Sequence, residues 1–567
     1  MSERRTTSDI LEVDGDRLPD TPALIGLAAA LALFYWGDGL PLAPLPQLLA
    51  LALLLELALL RPDLGLLLVP LTAPLYLIPA SVPGLRAEPV RLPLHEVTLL
   101  AVAAGVAGRW AWGRLRARRS KTKDQGPRTE DQAPRAERQE SGTTDTERRW
   151  SLVLTRSSLV RYAPHALLLL AGIFGVLIAV PEGRGAALRE LRWLIVEPLV
   201  FYALALLLIR REREEAGAYG SGARAATNLR WRLTLSLIIG GVGVAALGLL
   251  QFAGLDLVPL LGEKQSFSEN VVAAGETRRV ASVYGHPNNL GLLLGRVWPL
   301  AAALLILTSK GRGPRTSDKG RLAFALGAAA LICLAGIGVS FSRGAWLGAV
   351  AAAGVLALGW AAGRGQPAEG ERPRANGPGP WSSVITRRPL VIGLAALVGL
   401  AVVAGLALTL RGGLGGGSVD ARVLLWREAA ELIRQHPLGL GLDQFYYYHN
   451  PEFGRSIIDP SLLGTSEQYA SHPHNLVLDA WLNLGPLGLA VLAWLTVRCY
   501  RAGLGGLRRA RDPIALGVLA AVTAALVHGT VDVFYFAEDL AIIFWLLLAL
   551  AETAEGEEAG GAERPAR

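Results

Sequence analysis

The chain reads as an all-α, polytopic membrane protein with about fourteen spanning helices, and three observations carry that reading. Hydrophobic residues make up 51% of its 567 positions and charged residues 18%, with a mean hydropathy of +0.36. That is more apolar surface than a soluble core of this size buries. Segments such as Leu48 to Leu60, Ala166 to Val180, Leu233 to Leu250 and Leu390 to Leu410 are apolar all round, without the polar stripe of an amphipathic helix. Arginine and lysine, finally, collect in alternate loops, as insertion with the positive side inward requires.

Spans of about 17 to 22 residues fall in order at residues 22–36, 45–60, 64–80, 93–112, 160–180, 190–209, 232–253, 287–308, 322–339, 344–362, 389–410, 475–497, 514–530 and 538–553. The stretch from Met1 to Asp20 is polar and lacks the apolar centre and cleavage site of a signal peptide, so it reads as a tail ahead of the first span. The basic loops Arg114 to Arg149, Arg210 to Arg232, Lys310 to Arg321, Arg364 to Arg388 and Arg498 to Arg511 define the cytoplasmic side. Both termini then lie in the cytoplasm and the protein in the cytoplasmic (inner) membrane. Residues 1–113 form the tail and a four-span segment, 114–150 a disordered linker rich in Pro, Gly, Glu and Arg, 151–553 the main membrane body, and 554–567 a cytoplasmic tail.

The net charge of +8 follows from these loops, so nucleic acid is not an expected partner. Cys333 and Cys499 lie in or beside spans; they supply neither a disulfide framework nor a zinc ligand set.

The outward loops are short except for residues 411–475, and a long ordered loop is uncommon unless it works. Within it a helix is expected from Val419 to Gln435, with Asp420 as N-cap and Pro437 as the stop. Arg422, Trp426, Ala429 and Ile433 share one face of that helix. A cation in a first helical turn opposes the backbone dipole unless an anion shares the site. Arg422 thus binds an anionic ligand or pairs with a carboxylate such as Asp443 or Glu428. Arg279 precedes the mouth of the eighth span, and Arg343 occupies the tight outward turn Ser340 to Gly344, where it snorkels to lipid phosphate or binds a specific anion.

His474 and His472 close the long loop at the edge of a span. Histidine takes up a proton near neutral pH, so His474, with His472 second, is a candidate base; the competing reading is a polar helix start in which Asn475 or His474 caps exposed amides. Tyr446, Tyr447, Tyr448 and Trp426 either stack on sugar rings or anchor the interface. Asp532, Glu538 and Asp539 stand near a short outer loop and read as simply hydrated.

Taken in order, four pieces of sequence resemble the O-antigen ligase and O-antigen polymerase superfamily. They are Arg279 with His286-Pro-Asn-Asn-Leu-Gly291; Ser340-Phe-Ser-Arg-Gly-Ala345; Arg422-Val-Leu-Leu-Trp426 with His436-Pro-Leu-Gly-Leu-Gly-Leu-Asp-Gln-Phe445; and His474-Asn-Leu-Val-Leu-Asp-Ala-Trp-Leu-Asn-Leu-Gly-Pro-Leu-Gly488. The likeness covers about residues 230–500. It implies a helical membrane body of the glycosyltransferase C type, an undecaprenyl-pyrophosphate-linked oligosaccharide as donor on the outer face, a glycan, lipid or protein acceptor, and no metal or other cofactor. By the same resemblance Arg279, Arg343 and Arg422 hold the donor pyrophosphate and His474 is the catalytic histidine in an inverting transfer to an acceptor hydroxyl. Guanidinium groups bind phosphate oxygens bidentately, which suits metal-free stabilisation of a departing pyrophosphate. The rival from another class is a lipid-glycan flippase or transporter, which would use the same arginines without chemistry.

Overall fold

In the computed structural model the described residues are 20–36, 45–78, 80–82, 90–123, 156–218, 229–256, 272–274, 277–308, 319–362, 417–510 and 512–554. With residues 436–475 as the main exception, helices cover most of them. In chain order these are α1 (Asp20–Trp36), α2 (Leu45–Leu60), α3 (Pro62–Thr72), α4 (Leu94–Lys123), α5 (Arg156–Ile178), α6 (Arg184–Glu190), α7 (Glu197–Ala218), α8 (Leu229–Phe252), α9 (Pro287–Thr308), α10 (Lys319–Ser340) and α11 (Arg343–Ala362). They are followed by α12 (Gly417–Gln435), α13 (Phe445–His449), α14 (Leu476–Ala510), α15 (Pro513–Gly529) and α16 (Glu538–Glu552). A π-helical turn, Leu191–Val196, joins α6 to α7. Two small antiparallel ribbons, β1 (Ala80–Val82) with β2 (Val90–Leu92) and β3 (Val272–Ala274) with β4 (Thr277–Arg279), are the departure from an all-helical fold.

The protein is a polytopic helical membrane protein: among the described residues six helical segments are long and apolar enough to cross a membrane, and shorter apolar helices accompany them. Helices lie over the expected spans, though α3 ends at Thr72 where the sequence predicts a span to residue 80; residues 389–410 fall outside the described residues together with both tails and most of the two inner linkers. Helix α4 runs past residue 114, the expected start of the inner linker, to Lys123. Arg, Lys, Ala and Leu are strong helix formers, so a helix that leaves an apolar stretch in such a sequence is prolonged rather than broken.

Large apolar side chains point outward along these helices, among them Phe324 (80% exposed) and Val350 (71%), the arrangement a lipid solvent favours. At the centre, α15 and α16 are buried nearly all round. Helix α15 packs against α9, α11 and α14, and α9 against α8 and α10. Gly348 allows the close approach of α11 to α15, since a Cβ there would lie 2.8 Å from the Ala524 carbonyl oxygen. Cys333 and Cys499 are free and buried.

At the basic end of the bundle three arginines are paired internally: Arg230 with Asp512, Arg232 with Asp63 at 3.2 Å, and Arg498 with Glu552. The opposite end is shaped by a break in α14. Gly485 adopts φ 68° and Pro486 follows it, so the Leu482 carbonyl loses the amide that would normally bond it four residues on. That carbonyl instead accepts from Leu440 N at 2.7 Å and Gly441 N at 3.2 Å. Gly439 and Gly441 both have positive φ (92° and 106°), and a Cβ on Gly439 would stand 2.8 Å from the Trp481 carbonyl. The Leu-Gly-Leu-Gly run and the Gly-Pro break, distant in sequence, are therefore two halves of one docking joint that fixes the long loop to α14.

Candidate active site

The site is assembled around a carboxylate in the connection between α15 and α16. Asp532 is 1% exposed. Asn288 Nδ2, in the first turn of α9, donates to its Oδ2 at 2.7 Å. His474 Nδ1 lies 3.4 Å and His472 Nε2 3.9 Å from Oδ1, while Arg422 Nη2 lies 3.9 Å from Oδ2. Buried Arg296 steadies this connection by donating to the Phe534 carbonyl at 2.6 Å, and Asn475 Nδ2 donates to the Thr530 carbonyl at 3.0 Å. The reading of Asp532 as a hydrated loop residue is thereby corrected. The connection folds inward between helices, where water is excluded and cations replace it.

His474 is held in the left-handed region, φ 51°, an uncommon conformation for a residue of this type that surrounding contacts must maintain. Trp426 Nε1 of α12 donates to its carbonyl at 3.3 Å. Its ring bridges two carboxylates, Asp532 at 3.4 Å through Nδ1 and Glu467 at 3.5 Å through Nε2. Burial opposes the charged imidazole, yet the hydrogen bonds to Asp532 and Glu467 prevail and push its pKa up to about 9. His472, with its ring centroid 4.4 Å from that of His474, moves the other way: burial and the neighbouring imidazolium lower it, against the pull of Asp532. Burial alone would raise Asp532, but the two histidines hold its carboxyl well below the usual range. The pair thus consists of one charged and one neutral imidazole near pH 7. Capping of α14 falls to Asn475, whose Oδ1 accepts from Val477 N at 3.0 Å and Leu478 N at 3.2 Å; His474 has no part in it.

The three sequence-picked arginines come to the same place. Arg279, at the end of β4, donates from Nε to the Ser340 carbonyl at 3.1 Å and from Nη2 to Asn288 Oδ1 at 3.2 Å. Its pKa is lowered by burial and then by the charges of Arg422 and Arg343, with Asp532 opposing. The charges of Arg422 and Arg343 can act on Arg279 in this way only from nearby, and an anion entering the space would relieve the repulsion. Arg343 is the exposed first residue of α11. Asp420 is not the N-cap expected of α12: the helix begins at Gly417, which puts Arg422 in its second turn. The dipole argument for an anion near Arg422 falls with that correction, and convergence with Arg279 takes its place. Asp443 and Glu428 are not its partners either. Asp443 lies 3.5 Å from Arg189, and Glu428 pairs with buried His449 at 2.9 Å.

Tyr446 and Tyr447 pack with Phe453, at centroid distances of 5.7 and 4.8 Å. His472, His474 and Asp532 each offer a donor atom within 4.8 Å of the others, a spacing that suits a metal ion, although Arg422 and Arg279 compete for the same carboxylate. Sequence reasoning missed Asp532, Asn288 and Glu467. Asn288 stood within a quoted motif, and Asp532 carried the general signal of a carboxylate at membrane depth. Glu467 offered no signal, being one acidic residue in a polar loop.

The O-antigen ligase family model matches residues 328–493, a stretch that holds Arg343, Arg422, His472 and His474 but neither Arg279 nor Asp532. No curated protein matches the chain. With a site of this composition seated in a polytopic helical bundle, the match identifies the chain as carrying an O-antigen ligase domain and as an enzyme of the membrane glycosyltransferase type.

Proposed function

We propose that the chain transfers or polymerises an undecaprenyl-pyrophosphate-linked saccharide onto an acceptor hydroxyl at the outer face of the cytoplasmic membrane. In this reading the membrane body is of the glycosyltransferase C type with about fourteen spans, and both termini are cytoplasmic. Arg279, Arg343 and Arg422 bind the donor pyrophosphate, and the acceptor oxygen attacks the anomeric carbon from the opposite side, inverting it without a metal. The observation that carries the reading is the convergence of Arg422, Arg279 and a histidine pair on Asp532, with Arg343 near enough for its charge to act on Arg279. Pyrophosphate is a good leaving group, so charge stabilisation by guanidinium groups meets most of the chemical need.

Within that scheme His474 is the base suggested by resemblance, and it must lose its proton first, because two carboxylates hold it as a cation. The depressed pKa of His472 supports a second assignment: neutral His472 accepts the hydroxyl proton while cationic His474 adds to the charge that faces pyrophosphate. A flippase would use the same arginines but has no need of a paired acid and base. Reconstitution with an undecaprenyl-pyrophosphate oligosaccharide tests the proposal. Glycan transfer that is lost in Arg422→Ala and His474→Ala supports it; transbilayer movement of the lipid without transfer, or full transfer in both variants, overturns it. Identification of the product separates chain lengthening from delivery to a new acceptor.

A further inference from the structure

A second polar cluster lies apart from the histidine and arginine site, where α4, the π-helical turn, α7 and α16 meet. His95 and Glu96 are in the first turn of α4, Glu197 begins α7 and Glu538 begins α16. All four are buried, with exposures of 0%, 2%, 6% and 3%. Each offers a donor atom, and those atoms lie within 4.8 Å of one another.

Arg192 of the π-helical turn is the cation in contact with this group, and the charge of Arg189 also bears on Glu538. Arg192 Nη2 contacts both Glu96 oxygens at 3.0 and 2.9 Å, and its Nε lies 3.1 Å from Glu197 Oε1. His95 Nε2 and Glu538 Oε1 are 2.6 Å apart. Three buried donor atoms have no hydrogen-bond partner: His95 Nδ1, Glu197 Oε2 and Glu538 Oε2. Three carboxylates gather about one contacting guanidinium, and a buried carboxylate is ordinarily protonated, paired or bound to metal.

We propose that His95, Glu96, Glu197 and Glu538 bind one divalent transition-metal ion, Zn²⁺ or Mn²⁺. One imidazole nitrogen with carboxylate oxygens is a donor set that suits these ions, with bonds of about 2.0–2.2 Å. The Arg192 side chain is 49% exposed, so the cluster has an edge through which an ion can enter. Bound there, the ion joins α4, from the N-terminal segment, to α16. The residue after Glu538, Asp539, accepts from Tyr284 OH at 2.6 Å, and Tyr284 lies in the segment between Arg279 and α9. The ion would thus brace the segment that presents Arg279 without touching the reacting groups. This inference does not rest on the glycosyl-transfer reading.

The test uses the full chain in nanodiscs, stripped with a chelator, incubated separately with ZnCl₂ and MnCl₂, desalted, and analysed for metal content and thermal midpoint. Wild type and His474→Ala should each retain a single ion per chain and melt at a higher temperature than their stripped forms. Glu538→Gln and His95→Ala should do neither. Retention by Glu538→Gln and His95→Ala with loss in His474→Ala would assign binding to the histidine pair and overturn the proposal. Absence of retained ion and of any thermal response in wild type would also overturn it, leaving a proton shared between Glu96 and Glu538 as the account of the cluster.

Discussion

Replacing Asp532 by Asn removes one charge and almost no volume, so it isolates what the carboxylate does. The side chain would still accept from Asn288, but His474, His472 and Arg422 would lose their common anion. The rise of His474 from 6.5 to about 9 amounts to roughly 3 kcal/mol at about 1.4 kcal/mol per tenfold change in proton affinity. Coulomb attraction across the 3.4 Å contact is about 5 kcal/mol at an effective dielectric of about 20, an upper bound that desolvation of both partners reduces. Asp532 and Glu467 divide the effect, so Asp532→Asn should lower His474 proton affinity at least about tenfold and cost about 2–3 kcal/mol of stability. The assay is a pH titration of histidine ring resonances in ¹³C-labelled protein, with His474 assigned among the eight histidines through His474→Gln, alongside thermal unfolding. Glycan transfer should fall about a hundredfold, the scale of removing an oriented electrostatic group. A His474 midpoint still near 9 in the variant would refute the reasoning, because Glu467 or another group, and not Asp532, would then be holding the proton.

The pH dependence of transfer separates the two histidines: if His474 is the base, the rate climbs until about pH 9, whereas a neutral His472 base gives a plateau already reached at pH 7. Arg279→Ala should raise KM for the lipid donor by about tenfold or more, with Arg279→Lys recovering only part, since lysine lacks the bidentate fork; equal KM in all three proteins would remove Arg279 from the donor site. Gly439→Ala should destabilise by about 2–4 kcal/mol, through its positive φ and the contact with the Trp481 carbonyl, and an unchanged thermal midpoint would contradict the docking joint. Burial works against charge on His449, but its hydrogen bond to Glu428 raises its pKa above 6.5. The stability this pair contributes is therefore complete below about pH 6.5 and lost as pH rises through the folded-state value. Unfolding of His449→Gln should lack that alkaline loss, as a comparison of melting curves at pH 6 and pH 9 would reveal.

Membrane insertion is a local property. Each apolar stretch meets lipid on its own account, so the helices of α8 to α11 and α14 were legible from hydropathy alone. Arg279 and Arg343 stood out in the sequence because arginine at an outward span edge defies the usual charge bias, and His474 because histidine takes up a proton near neutral pH. What the sequence could not convey is which side chains share a microenvironment. The sequence left Asp443, Glu428 and an anion open as partners of Arg422; with the Leu-Gly-Leu-Gly run docked on the α14 break, α12 brings Arg422 to Asp532. Asp532 itself looked hydrated because loop length says nothing of burial, while packing of α15 against α9 and α14 closes water out. The sequence by itself determined that this is a membrane protein with sparse cations at the edges of its spans, since transfer of each segment into lipid depends on its own residues. Tertiary structure alone decided that one buried carboxylate gathers those cations, because pairing energy depends on distance and exclusion of water, and both are set by helices far apart in the chain.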